Sequence, residues 1–251
     1  VGGLTSAPDA STYERVNAAG TRALAAAAGD AGVERFVYVS SLAARGPDDA
    51  KGPVSDYGRS KRSGEERLAE LADAGRAPPA IRVLRPGGIY GPRDTDLLTL
   101  FQMAARGLLL LPSAAGRLQP VHVRDVASAV LRALETSDPT DPGPLPVAGG
   151  EVVDWADIVE ALRGAMNRPF RVVRLPAAAF TAVGAAAEFA ARLTGKPPVF
   201  DRRRATDLSR TTWTCDIEAT KRTIGWDPQV DLAAGMAETA AWYAENDWLG
   251  R

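Results

Sequence analysis

Arg35-Phe36-Val37-Tyr38-Val39-Ser40-Ser41, followed after a loop by Asp56-Tyr57-Gly58-Arg59-Ser60-Lys61, is the stretch around which the chain is organised. The first segment is a β-branched and aromatic run that reads as a buried parallel strand ending in two hydroxyls. In open α/β sheets ligands sit beyond the carboxyl ends of the strands, so Ser40 and Ser41 point toward a site region. From Tyr57 to about Ala74 the Glu, Arg, Leu and Ala content, ending at Gly75, predicts a helix. A four-residue step then puts Tyr57 and Lys61 on one helical face. A free phenol titrates near ~10 and is a poor base at neutral pH, but a fixed positive charge a few ångströms away favours the phenolate. Such a pair can move a proton on or off a carbinol oxygen. Tyr-x-x-x-Lys alone is a common surface pairing; serines at a strand end, a loop, then this pair opening a helix form a much more specific order.

Further along, Asn17-Ala18-Ala19-Gly20-Thr21 precedes the serine strand, and Leu84-Arg85-Pro86-Gly87-Gly88-Ile89-Tyr90-Gly91-Pro92 and Val121-His122-Val123-Arg124-Asp125-Val126-Ala127 follow the helix. These five motifs, in this order and spread over much of the chain, resemble the extended short-chain dehydrogenase/reductase family, also called the NAD-dependent epimerase/dehydratase family. The resemblance implies a Rossmann-like α/β fold with a doubly wound parallel sheet and a small, mostly helical C-terminal substrate domain. Residues 1–150 would form the nucleotide-binding part and 151–251 mainly the substrate region, interleaved with the sheet.

The resemblance also implies a chemistry. NAD or NADP would exchange hydride with the substrate carbon, Tyr57 would exchange the proton with its oxygen, Lys61 would hold the nicotinamide ribose and favour the phenolate, and Ser41 would hydrogen-bond the developing oxyanion. Asn17 would hold an active-site water or backbone near the pair. Gly2, Gly3, Ser40, Pro86 and Gly87 join Tyr57 and Lys61 as expected cofactor contacts, and Gly88, Ile89 and His122 join Ser41 as expected substrate contacts. Nucleotide-sugar members usually carry Asn where this chain has Gly88, and Arg where it has Leu118, although Arg117 is adjacent. The tail from Gly195-Lys196-Pro197-Pro198 to Tyr243 looks more like the 3β-hydroxysteroid dehydrogenase and dihydroflavonol reductase branch. The expected activity is therefore alcohol/ketone oxidoreduction on a small apolar molecule. A nucleotide-sugar epimerase or dehydratase is the alternative, and a non-catalytic nucleotide- or protein-binding member the third reading.

One expected part is missing. A dinucleotide-binding half opens with a strand, a Gly-x-Gly-x-x-Gly turn and a helix whose N-terminus holds the pyrophosphate. Only Gly2-Gly3 stands ahead of the serine strand. By resemblance Val1-Gly2-Gly3 is the end of the family's fourth strand, so roughly sixty to seventy residues, about two βα units and a strand, are expected to be absent. A fragment of a longer reading frame is the expectation, and the residue selecting NAD or NADP falls within the absent part.

Composition bounds the rest. With 45% hydrophobic and 24% charged residues, neither a disordered nor a fibrous class is indicated. Thirty basic against thirty-one acidic residues and a pI near 6.0 give no basic field for nucleic acid. The single cysteine, Cys215, precludes an internal disulfide framework, and the single histidine, His122, leaves no zinc cluster. No metal is expected, and a reducing cytoplasm fits. The most apolar stretch, Pro176 to Leu193, is interrupted by Glu188 and Arg192 and falls short of a membrane span, which needs about 20 apolar residues. The expected partners are a small-molecule substrate and a second copy in a homodimer. The loop from Leu42 to Ser55 reads as a flexible lid, the helix from Ser11 to about Gly29 as having Val16, Leu24 and Ala27 inward, and the chain beyond Val153 as dominated by helices. Arg202-Arg203-Arg204 reads as a solvated run or an anion clamp, and Cys215 as a buried small side chain.

Overall fold

The computed structural model describes residues 3–48, 50–114, 116–136, 143–166, 168–194 and 212–249; side chains at 188 and 190–194 are excluded. Its contacts divide the chain into two compact units: Val1–Gly88 with Arg124–Gly150 and Trp213–Gln229, and Ile89–Val123 with Glu151–Thr212 and Val230–Arg251.

The first unit is built on a parallel sheet. Strand β1 (Arg35–Val39) pairs with β2 (Ala80–Pro86), Val39 opposite Leu84, and β2 pairs with β7 (Leu145–Val147), Pro86 opposite Val147. Parallel strands need a crossover, and helix α3 (Asp56–Asp73) supplies the one between β1 and β2. Ser55 caps α3 by accepting from the Gly58 N–H at 3.1 Å, which satisfies one of the free donors of the first turn. The helix buries Leu68 and Leu71 with Tyr38 of β1 and Ala25, and Phe36, Ile81 and Val83 pack against them. Helix α5 (Val123–Glu135) and helix α8 (Glu218–Ile224) are tied to the same unit through polar contacts: the Trp226 indole donates to the Asp125 carbonyl at 3.0 Å, and the Thr220 hydroxyl to the Pro146 carbonyl at 2.5 Å.

Ahead of the sheet the chain forms α1 (Ala10–Tyr13) and α2 (Gly20–Asp30), joined without a break by a π-helical segment, Glu14–Ala19. The wider π turn rotates every later side chain relative to a uniform α-helix. This corrects the expected inward face: Leu24 is 50% exposed and Ala27 is exposed, whereas Asn17, Ala18 and Ala25 are buried. Gly3 and Leu4 form no strand among the described residues.

The second unit has its own core. Strand β3 (Ile89–Tyr90) pairs with β6 (Val121–His122), and β4 (Leu108–Pro112) pairs with β8 (Arg171–Leu175), both parallel. Leu118 of β5 (Arg117–Leu118) bridges Val153 in the antiparallel sense. Around them lie α4 (Leu98–Ala105), α6 (Trp155–Ala165), α7 (Ala177–Thr194) and α9 (Leu232–Glu245). Phe101, Trp155, Leu162, Met236 and Tyr243 fill the centre, and the Tyr243 hydroxyl donates to the Asp94 carbonyl at 2.6 Å. Helices dominate the described residues beyond Val153, as expected, and strand β8 is an addition to them. Its Arg-Val-Val-Arg-Leu sequence is mostly exposed, and what makes it a strand is the ladder to β4 rather than a buried apolar face. No described helix is long and apolar enough to cross a membrane.

Candidate active site

Ser40 and Ser41 end β1 and their side chains diverge. The Ser40 N–H extends the ladder to the Leu84 carbonyl at 2.7 Å, and its buried hydroxyl donates to Glu65 Oε1 at 2.5 Å. Ser41 is half-buried and caps a short 3-10 turn, Leu42–Ala44, by accepting from the Ala43 N–H at 3.1 Å. Because Ser41 accepts in that bond, its O–H is left to donate elsewhere. The two serines therefore separate into an inward anchor and an available donor.

Helix α3 meets this turn in direct backbone contact. A Cβ on Gly58 would lie 2.3 Å from the Ala43 carbonyl oxygen, so only glycine allows the approach. Tyr57, the residue before it, is half-buried, with its ring edge-on to Tyr13 at 6.2 Å between centroids. One turn on, the Lys61 side chain is 7% exposed; its ammonium donates to the Val39 carbonyl at 2.7 Å and sits 4.6 Å from the centre of the Tyr38 ring. Burial pushes the Lys61 pKa down to about 8, and the negative charge of Glu65 opposes that fall. At pH 7 the group is still mostly an ammonium.

Asn17, in the π segment, uses its whole amide. It accepts from the Leu4 N–H at 2.8 Å, donates to the Leu4 carbonyl at 2.9 Å, and donates to the Ser60 hydroxyl at 3.0 Å. Ser60 in turn donates to the Tyr57 carbonyl at 2.8 Å. Asn17 thus holds backbone next to the pair, and the turn of α3 that presents Tyr57.

Gly3 lies beside these groups: a Cβ there would stand 3.5 Å from Asn17 Oδ1 and 4.0 Å from Lys61 Nζ. Gly2 lies outside the described residues. Pro86 ends β2 against Val147, the Gly87 N–H donates to the Val147 carbonyl at 2.9 Å, and nothing stands within 4 Å of a Cβ on Gly88. Ile89 and His122 belong to the second unit. Ile89 is 39% exposed, whereas His122 is 1% exposed, edge-on to Tyr90 at 5.2 Å between centroids and 4.0 Å from Glu238. The structure thus brings Asn17, Ser40, Ser41, Tyr57, Lys61, Gly3, Pro86, Gly87 and Gly88 into one unit and keeps Ile89 and His122 in the other.

The loop after the 3-10 turn is anchored, not a free lid. Arg45 donates to the Thr214 carbonyl at 2.9 Å and pairs with Asp48, while Asp48 accepts from the Thr214 hydroxyl at 2.6 Å. Glu65, Arg85, Ser60 and Tyr38 were not anticipated as site residues. The one available signal was spacing, since Tyr57, Lys61 and Glu65 repeat at four-residue steps on α3. Arg202, Arg203 and Arg204 lie outside the described residues.

Comparison with known proteins bears on this arrangement. The sequence profile of the NAD dependent epimerase/dehydratase family matches residues 2–148. A ceramide reductase of Caulobacter vibrioides is 34% identical over 258 residues, covering 99% of this chain and 74% of the relative. A UDP-glucose 4-epimerase of Vibrio cholerae is 27% identical over 241 residues, covering 91% of this chain and 69% of the relative. Among solved structures, a UDP-glucuronic acid 4-epimerase from Bacillus cereus, in complex with UDP-glucuronic acid and NAD, superposes with a TM-score of 0.73 at 19% identity, covering 96% of this chain and 71% of that one. At that identity the likeness is one of fold.

Proposed function

Because this chain belongs to the NAD dependent epimerase/dehydratase family, we propose that it acts as an oxidoreductase, moving hydride between NAD or NADP and a secondary alcohol or ketone of a small apolar substrate. The observation that carries the reading is the buried Lys61 ammonium, fixed by the Val39 carbonyl and the Tyr38 ring one helical turn from Tyr57.

The residues present fit the nicotinamide half of the cofactor. Gly3 leaves space where a side chain would stand 4.0 Å from Lys61 Nζ, room for a ribose hydroxyl to reach the ammonium. When bound, the nicotinamide supplies or accepts hydride at the substrate carbon. Lys61 holds positive charge near the Tyr57 phenol and so favours its ionised form. In the reductive direction Tyr57 gives its proton to the substrate oxygen as negative charge builds there; in the oxidative direction it takes that proton. Ser41 donates its hydroxyl hydrogen to the same oxygen and stabilises the developing charge.

The apolar substrate is supported by the 34% identity to a ceramide reductase and by Gly88 and Leu118, which replace the Asn and Arg usual in sugar-nucleotide members. The identity to a UDP-glucose 4-epimerase favours a second reading, epimerisation or dehydration of a nucleotide sugar.

Titrating the purified chain with NADH and NADPH, followed by nicotinamide fluorescence with a parallel thermal melt, tests the cofactor reading. Because the sequence lacks the Gly-x-Gly-x-x-Gly turn that holds the pyrophosphate, weak but saturable binding through the nicotinamide half is the expected result, with a melting temperature that rises only at high nucleotide concentration. Where binding is found, Tyr57→Phe is expected to abolish ketone reduction while leaving nucleotide affinity within about threefold, since the phenol acts on the substrate oxygen. Retention of most of the rate would sink the role of Tyr57. Turnover of UDP-glucose with none of a long-chain ketone would reverse the order of the two substrate readings.

A further inference from the structure

Glu65 is 9% exposed and projects from α3 toward the sheet, where its neighbours along the helix, Leu68 and Leu71, are apolar. Burying a carboxylate there is costly unless it is paired and hydrogen-bonded. Both conditions are met. The Arg85 guanidinium from β2 binds it in fork geometry, Nε at 2.9 Å from Oε1 and the terminal nitrogen on Oε2, and Ser40 from β1 donates to Oε1. One carboxylate thereby ties the helix that carries Tyr57 and Lys61 to the two strand ends that carry Ser41 and Pro86.

We propose that Glu65 is a positioning residue for the acid/base pair: one helical turn from Lys61 it sets an anion on the same helical face, and its bonds to Ser40 and Arg85 fix α3 against the ends of β1 and β2. This rests on the proposed roles of Tyr57 and Lys61.

Among the described residues, the Lys61 ammonium meets the Val39 carbonyl and the Tyr38 ring of β1, and a Cβ on Gly3 would stand 4.0 Å from it. Along α3, Tyr57 and Glu65 stand one turn to either side of it, Glu65 bound in turn to Arg85 of β2, and the uncharged Asn17 amide of the π segment bonds Ser60, the residue before it. Of these, Glu65 is the anion that opposes the effect of burial on Lys61. A purely structural brace leaves the Lys61 midpoint unmoved when that charge is removed, and this distinction can be measured.

The chain has four lysines, Lys51, Lys61, Lys196 and Lys221, so 13Cε-lysine labelling resolves each by NMR, with Lys61→Arg assigning the signal. The full chain is titrated between about pH 6 and 11 as wild type, Glu65→Gln, and Glu65→Gln/Arg85→Met. The expected result is a Lys61 midpoint lowered by about one pH unit in Glu65→Gln, the size expected for loss of one nearby opposite charge, and lowered by less in the double variant, which also removes the Arg85 cation. Glu65→Gln leaves the guanidinium without its counter-ion; if that variant fails to fold, the double variant gives the readout, a smaller shift in the same direction. An unchanged Lys61 midpoint, with a lowered melting temperature, overturns the proposal and leaves Glu65 a packing brace. Because neither turnover nor cofactor is involved, the Glu65 dependence is read independently of the proposed function, which the loss of ketone reduction in Tyr57→Phe tests separately.

Discussion

The side-chain amide of Asn17 donates to the Ser60 hydroxyl at 3.0 Å, and that hydroxyl donates to the carbonyl of Tyr57 at 2.8 Å. Two elements far apart in sequence are thereby joined one bond from the candidate acid/base. Asn17→Ala leaves the Leu4 N–H and carbonyl without their shared partner and removes the donor to Ser60. A loss of about 1–3 kcal/mol in unfolding free energy is expected, read from urea denaturation. Ser60→Ala removes both bonds of its hydroxyl but leaves Asn17 on the Leu4 backbone, and is expected to cost less; an equal or larger loss would argue that the bonds to Leu4 contribute little.

Gly64 sets how closely α3 approaches β1. A Cβ there would stand 2.5 Å from the Tyr38 hydroxyl and 3.1 Å from the Asn17 carbonyl. Gly64→Ala is expected to destabilise by about 1–3 kcal/mol through overpacking, despite alanine's better helix propensity. Tyr38→Phe removes the nearer obstacle. The double variant is therefore expected to recover part of the loss in a double-mutant cycle, and strict additivity would show that the clash is relieved elsewhere.

Cys215, expected as a buried side chain, is half-buried against the anchored loop; desolvation there pushes its thiol from 9.0 up to about 11, with the Arg45 guanidinium opposing. The folded state therefore keeps a proton that the unfolded state gives up between those values. Its stabilising contribution is present below pH 9.0 and is lost as pH rises through about 11. Cys215→Ala is expected to flatten that part of the melting temperature against pH curve. In the native chain, thiol labelling at about pH 8 should be slow and should accelerate on denaturation, because the thiolate is the reacting form. Labelling as fast as that of the unfolded chain would contradict the burial.

The β1 to β2 crossover was legible because each local signal agreed with the next: a β-branched run, a capping serine at Ser55, an α-helical composition and a second apolar strand. The serines, tyrosine and lysine were legible for the same reason, since their order is written in adjacent elements. The rotation of α2 was not. A π segment carries no residue signature that separates it from an alanine-rich α-helix, so the inward face was assigned to Leu24 when the packing chose Ala25. Glu65 escaped because an acid in a helix reads as a solvated position until its Arg and Ser partners, 20 and 25 residues away in sequence, are seen beside it. Strand β8 escaped because its identity comes from β4, not from its own pattern.

The crossover has a kinetic side. Ser41, Tyr57 and Lys61 lie within one strand–helix–strand segment whose decisive contacts, Lys61 to Val39 and Glu65 to Ser40, span 22 and 25 residues. Closing loops of that length costs little chain entropy compared with joining the remote segments that make up each unit. The contacts that seat Lys61 and Glu65 are therefore of short range, while the bond from Asn17 to Ser60 reaches back 43 residues.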